Sequence, residues 1–520
     1  TYMNSYYSYV KPTKNKYFFF VPLYAWLGVN TVGGISVQPK NLIYIMSDQH
    51  QSKFMSCLGH SVVKTPNLDA LAARGTLFEN AYTNSPICVP ARASLATGRY
   101  VHDCGNWDNA VPYNGSVKGW GHRLIEQGHR SVSIGKLHYR DTNDPNGFDQ
   151  EIVPLHVVDG VGDLLGQIRS DMPERHGAVN YSREVGPGET TYTRYDASIA
   201  SEAVDWLKTE APKNKDKPWV LFVSFVCPHF PLIAPPEFYH MYPECDVPMP
   251  ALYGAADRPD HPYYEAMLKC INYDKHFDEN RMRKAIAGYL GLVSYVDHNI
   301  GQVLNAIEAE GLGDNTRVIY SSDHGESLGK RGFWGKSTMF EESAAVPLII
   351  AGPDIAKGAR VETPVSLVDA HPTILEAVGA QPHPDDTNLP GTSLFDIADG
   401  RDPDRIVLSE YHAVGSESAN FMVRKERYKL IWYEGLEPDL FDLEDDPDET
   451  VNLATDPTHA ATLAHMEEAL RSICDPTEVD HRAKSDQAMI VAVHGGREAI
   501  VSRGDFGYSP APGQNADFAS

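Results

Sequence analysis

The stretch "SPICVPARASLATGRY" places Cys88 two residues before Pro90 and four before Arg92, where an Ala- and Leu-rich helical pattern begins. A thiol buried only to fill volume has no need of an arginine one helical turn further on, whereas a reactive one gains from a nearby cation. Three apolar runs elsewhere end in polar clusters: "NLIYIMSD" at Asp48, "KPWVLFVSFVCPH" at His229, and "NTRVIYSSDHGE" at Asp323 and His324. Each cluster alone reads equally well as a turn or a helix cap. Three runs that end alike point instead to one crevice lined with carboxylates and imidazoles. Trp107 and Asp108, close to the cysteine helix in sequence, could add an aromatic and acidic wall suited to a cation, with simple packing as the alternative for Trp107.

The elements that must hold these residues follow from the same runs. They are continuously apolar and separated by helical stretches such as "DASIASEAVDWLKTE" and "RKAIAGYLGLVSYVDHNIGQVLNAIEAEGL". This is the pattern of an α/β fold with a large, mostly parallel sheet sandwiched by helices. In such sheets ligands bind beyond the carboxyl ends of the strands, where the Asp and His clusters fall. After about Gly400, "RIVLSEYH", "FMVRKERYKLIWYEG" and "PDLFDLEDDPDETVNLA" read as short strands, and "HAATLAHMEEALRSIC" as a closing helix. These make a smaller C-terminal α+β subdomain. The expected organisation is an N-terminal segment 1–40, a catalytic domain 41–400, the subdomain 401–475 and an extension 476–520. The final "GDFGYSPAPGQNADFAS" has no periodicity. It reads as a free tail, or as an arm whose Phe506, Tyr508 and Phe518 anchor at a subunit interface near an active-site mouth.

Composition narrows the partners. A formal net charge of −25 weighs against nucleic acid. Seven scattered cysteines with no C-x-x-C pair show neither a disulfide framework nor a zinc ribbon. The apolar run 17–29 after three lysines has the order of an export signal, but Pro22 interrupts it and it is too short to span a bilayer. A retained segment and a cytoplasmic protein are expected, with periplasmic or secreted placement as the alternative.

Cys88, Pro90 and Arg92 match the C-x-P-x-R core of the sulfatase signature, and "ASLATGRY" matches the S-x-x-T-G that follows it. Together with "TPNLDALAARGTLFENAYTN", "GKLHYR", "CPHFPLIAPPEFY", "SDHGESLGKRGFWGKSTMFEESAAVPLII" and "LFDLEDDPDETVNLA", these residues make the chain similar to the type I sulfatases of the alkaline phosphatase superfamily. The resemblance is to the branch with choline sulfatase and phosphonate monoester hydrolase, and it runs from about Asn41 to Leu453. It implies an alkaline-phosphatase-like fold and hydrolysis of sulfate monoesters to alcohol and sulfate. It also implies oxidation of Cys88 to Cα-formylglycine by a formylglycine-generating or anaerobic sulfatase-maturing enzyme. One hydroxyl of the hydrated aldehyde attacks sulfur; the second drives release of sulfate and restores the aldehyde.

The resemblance assigns the remaining roles. Asp48, Asp323, His324 and the modified Cys88 would hold a cation, Ca²⁺ by preference, with Mn²⁺ or Mg²⁺ as alternatives. The chain departs from the common pattern at Gln49 and His324, where many sulfatases carry Asp and Asn, so it has one carboxylate fewer. Arg92 and Lys136 would balance the charge of the diol and sulfate. His138 would assist breakdown of the sulfated enzyme, His229 and Lys336 would protonate the departing alcohol, and Asn109 would contact sulfate. A small sulfate ester is the expected substrate, with choline sulfate one candidate for it, and a homodimer or homotetramer the expected assembly. Phosphonate monoester or phosphodiester hydrolysis on the same scaffold is the alternative activity. A non-enzymatic binding protein is disfavoured because every ligand position is filled by a competent residue.

Overall fold

In the computed structural model, residues 38–516 and 518 are described. The N-terminal segment, with its apolar run, lies almost wholly outside them. The organising element is the strand β1 (Asn41–Asp48), apolar up to Ser47 and buried along its whole length. Its side chains alternate between two faces, as the period of a strand requires. Ile43 and Ile45 pack with Ile199, Leu290 and Val293 on one side. Leu42, Tyr44 and Met46 pack with Leu95, Leu124 and Ile374 on the other. A strand covered on both faces must be apolar at every position, which is why its sequence shows no alternation.

Around β1 are β2 (Gly75–Phe78), β3 (Ser131–Lys136), β4 (Gln150–Leu155), β5 (Val220–Pro228), β6 (Thr316–Ser322), β7 (Leu348–Ala351) and β8 (Ala359–Val361). They form one eight-stranded sheet in the order β8-β2-β7-β6-β1-β5-β3-β4. β7 alone runs against the rest, pairing antiparallel with both β6 and β2. The parallel register sets Tyr44 beside Ile319 and Phe222 and brings Ser47 level with Ser322. β1, β5, β6 and β3 therefore finish side by side. Helices Thr191–Thr209 and Glu279–Ala309 cover one face; Cys88–Thr97, Trp120–Glu126 and Ala370–Val378 cover the other.

The smaller C-terminal sheet is an antiparallel meander of Ile406–Tyr411, Asn420–Lys425, Tyr428–Tyr433 and Asp439–Asp442. Here alternation is visible. Leu408, Phe421, Val423 and Leu430 meet Met466 and Leu470 of helix Ala460–Ile473, while Val407, Met422 and Ile431 meet Tyr263, Tyr264 and Phe340 on the opposite face. Two further helices, Pro476–Val493 and Gly496–Arg503, follow where the sequence reading assigns no element. The first has Pro476 at its first position and Asp475 as cap, accepting from the Thr477 and Glu478 amides. Among the described residues no helix is long and apolar enough to cross a membrane.

Candidate active site

Cys88 opens helix Cys88–Thr97, preceded by extended Ile87 and ended by left-handed Gly98. Arg92, one turn on, lies beneath it. Its Nε donates to Asp323 Oδ2 at 2.8 Å, its Nη2 to Asp48 Oδ2 at 3.2 Å, and its Nη1 to the Lys136 carbonyl at 2.8 Å and Ser224 Oγ at 3.0 Å. One guanidinium thus ties together the carboxyl ends of β1, β3, β5 and β6. Lys136 Nζ adds a second ion pair to Asp48 at 2.5 Å. All four charged groups are buried.

Asp48, Cys88, Asp323 and His324 converge, each offering one donor atom within 4.8 Å of the others. His324 Nε2 is 3.2 Å from Cys88 Sγ, and its Nδ1 bonds the Gly325 carbonyl at 3.0 Å, which fixes the ring. Two carboxylates, an imidazole and the side chain of residue 88 suit a divalent cation, so these residues fit one. The thiol sulfur stands where an oxygen of a converted residue 88 would stand. On its other side, Lys336 Nζ donates to Sγ at 2.9 Å and lies 3.0 Å from His229 Nε2. Burial and Asp48 oppose ionisation of the Cys88 thiol, but Lys336, Lys136 and His324 outweigh them and lower its pKa. Burial likewise works against the Asp48 carboxylate, yet Lys136, Lys336 and Arg92 hold it well below the usual range. His229 is pushed well below the usual imidazole value by burial first and Lys336 second. It is therefore neutral, with Nδ1 bonded to the Phe230 carbonyl at 2.7 Å.

A cavity of about 130 Å³ opens onto Cys88. Asn109 lines it and accepts from the Val89 amide at 3.1 Å, so it sits at the start of the cysteine helix. Lys136, His138, His229 and Lys336 line it as well. Of the residues singled out in the sequence, Trp107 does not. Its indole N–H donates to Asp486 at 2.9 Å, its ring meets His412 edge-on and Arg482 lies over it. Trp107 belongs to the core of the C-terminal sheet. Asp108 is also buried away from the cavity, accepting from Gln167, Gln487 and the Ala110 amide. The aromatic wall comes instead from Tyr181, Tyr192, Phe230, Tyr273 and Tyr508.

Two further groups escape the sequence reading. Glu326, fully buried, accepts from the Leu328 amide at 2.7 Å, the Gly335 amide at 2.6 Å and Tyr181 OH at 2.6 Å, and also from Gln49. It folds the loop that delivers Lys336; its place two residues after His324 in "SDHGES" is the one available signal. In the cavity lining, Arg175 pairs with Asp163 at 3.0 Å and with Asp505 at 2.6 Å. The C-terminal segment, read from the sequence as a free tail or an interface arm, lines its own chain's cavity with Asp505 to Ser509.

An α/β sheet that brings a donor set fit for a divalent cation to a cysteine at a helix start, facing a lysine and a histidine, is an arrangement suited to ester hydrolysis. The sulfatase family model matches residues 40–380, and that of the N-sulphoglucosamine sulphohydrolase C-terminal region matches 329–475. The chain is 31% identical over 471 residues to a choline-sulfatase of Rhizobium meliloti (strain 1021), covering 86% of this chain and 89% of that one. It is 30% identical over 478 residues to arylsulfatase K of Bos taurus, covering 86% and 84%. The crystal structure of the phosphonate monoester hydrolase of Agrobacterium radiobacter superposes with a TM-score of 0.67 at 26% identity, covering 84% of this chain and 95% of that one. The chain belongs to the sulfatase family and is a sulfuric ester hydrolase.

Proposed function

We propose that the protein hydrolyses sulfate monoesters of small alcohols, using Cys88 converted to Cα-formylglycine and a divalent cation, Ca²⁺ by preference. The observation that carries this reading is the position of residue 88, with Asp48 and His324 on one side of Sγ and Lys336 on the other. A converted residue supplies a nucleophilic hydroxyl there. A cation held by Asp48, Asp323, His324 and residue 88 would lower the pKa of that hydroxyl and draw charge from a sulfate oxygen. Arg92 pairs with both aspartates and Lys136 with Asp48. Lys336 and His229, in mutual contact, are placed to give a proton to the departing alcohol oxygen, and Asn109 to hold sulfate at the helix start.

The alcohol would lie against Tyr181, Tyr192, Phe230 and Tyr508. In the cavity lining, two carboxylates, Asp163 and Asp505, face one guanidinium, Arg175, so this cluster is negative. Aromatic faces beside a negative cluster favour an apolar or cationic alcohol such as choline over an acidic one. We also propose a homo-oligomer, as in the reading of the sequence. Phosphonate monoester hydrolysis is the second reading, favoured by the superposition on the Agrobacterium radiobacter hydrolase.

The test is a panel of choline sulfate, 4-nitrophenyl sulfate and a phenylphosphonate monoester, run on protein made beside a formylglycine-generating activity. Sulfate esters should be preferred, peptide mass spectrometry should show aldehyde in place of the Cys88 thiol, and Cys88→Ala should be folded but inactive. Full activity in Cys88→Ala would overturn the mechanism; preference for the phosphonate would establish the second reading.

A further inference from the structure

His138 is buried and has a backbone φ of 59°. Its Nε2 lies 2.8 Å from Ser509 Oγ, and its Nδ1 has no partner. Burial, then Lys136 and Arg92, push its pKa well below the usual imidazole value, so the ring is neutral and carries one proton on two nitrogens. Ring torsions of histidine are broad and two-fold unless a partner fixes them. Here the partner is a serine 371 residues further along the chain.

The segment that delivers Ser509 is held at three points. Asp505, almost fully buried, accepts from Arg175 at 2.6 Å and from the Gly177 amide at 2.9 Å. The ring of Tyr508 packs 5.0 Å from that of Tyr192 and 5.5 Å, edge-on, from that of Phe230. The Ser509 carbonyl accepts from Tyr192 OH, and Tyr192 and Phe230 themselves line the cavity. Such a set of contacts costs ordering entropy along an otherwise irregular stretch.

We infer that Ser509 is a positioning residue: its hydroxyl fixes the plane and tautomer of His138, and the strap Asp505–Ser509 closes the alcohol side of the cavity in the same chain. With Nε2 bonded to Ser509 Oγ, Nδ1 is left as the nitrogen able to accept a proton during turnover. This inference rests on the proposed sulfatase reading, which gives His138 work to do. It goes beyond that reading in assigning the ring's orientation to the chain's own C-terminal segment.

The full-length protein tests it with two preparations. In converted protein, with aldehyde content measured by mass spectrometry, Ser509→Ala should lower kcat for 4-nitrophenyl sulfate by about tenfold to a hundredfold. KM should change little, thermal stability should be kept, and Ser509→Thr should restore most of the rate. In unconverted protein, alkylation of the Cys88 thiol by iodoacetamide should proceed at the wild-type rate in Ser509→Ala, because Asp505 and Tyr508 still hold the strap, and faster in Asp505→Ala. If wild type turns over and Ser509→Ala matches it, or if Ser509→Thr rescues nothing, this inference falls alone. Equal alkylation of wild type and Asp505→Ala removes the strap. If wild type carries the aldehyde and hydrolyses no sulfate ester, the proposed function falls and this inference with it.

Discussion

Arg92→Met isolates the central electrostatic device of the site. The substitution keeps most of the side-chain volume but deletes four donor contacts: to Asp323, Asp48, the Lys136 carbonyl and Ser224. Asp48 retains Lys136 at 2.5 Å, but among the described residues Asp323 is left with only His324, at 3.6 Å, as an ionic partner. Removing one member of a buried pair costs about 3–5 kcal/mol, because the remaining charge is stranded. Unfolding entropy for a chain of this length is about 1 kcal/mol per kelvin, so the metal-free variant should melt roughly 3–5 °C below wild type. A bound divalent cation would take over neutralisation of both aspartates and should recover much of that loss. The assay is thermal unfolding of both proteins in chelator and in excess Ca²⁺. Equal destabilisation in the two conditions, or none in chelator, would refute the claim that Arg92 and a cation share these carboxylates.

Asp323→Ala should abolish Ca²⁺ binding measured by calorimetry, along with turnover. A metal-free wild type that turned over normally would contradict the assignment of the donor set. Lys336→Ala should slow esters of poor leaving alcohols by about 10²–10⁴ while affecting 4-nitrophenyl sulfate far less, because only the former need the proton; a uniform loss would remove the general-acid role. His102 donates to Glu410 at the base of the C-terminal sheet, and although burial alone lowers its pKa, Glu410 raises it above 6.5. Its contribution to stability is then full below about pH 6.5 and lost as pH rises through the folded value. Thermal melts of His102→Asn should therefore fall less steeply than those of wild type across that upper range, and identical slopes would exclude the linkage.

The strands that carry Asp48, His229, Asp323 and His324 were legible because burial on both faces forces continuous apolar runs, and the first polar residue after each marks its carboxyl end. Cys88, Arg92, Lys136 and Lys336 carried a further signal in their local motifs. Trp107 was misleading for a physical reason. Nearness to the cysteine helix along the chain says nothing about direction, which is set by Asp486, Arg482 and His412 from far downstream. The aromatic wall was illegible for the same reason, since Tyr181, Tyr192, Phe230 and Tyr508 come from four separate segments. The strap contains too few large apolar residues to reveal its docking site; only the aromatic character of Phe506 and Tyr508 hinted that it packs.

The burial of Cys88 sets a timetable for its modification. Its side chain is 1% exposed, and Lys336, which closes over it, follows 248 residues later. At about 5–20 residues per second, ribosomal synthesis would take roughly 12–50 s to supply that last neighbour. For most of that interval β6, the Asp323–His324 pair and the covering loop do not exist, and residue 88 stands at the start of a helix with part of its surroundings missing. Any enzyme that converts this thiol has that interval in which to reach it, and a chain that folds before being met is closed to it until it opens again.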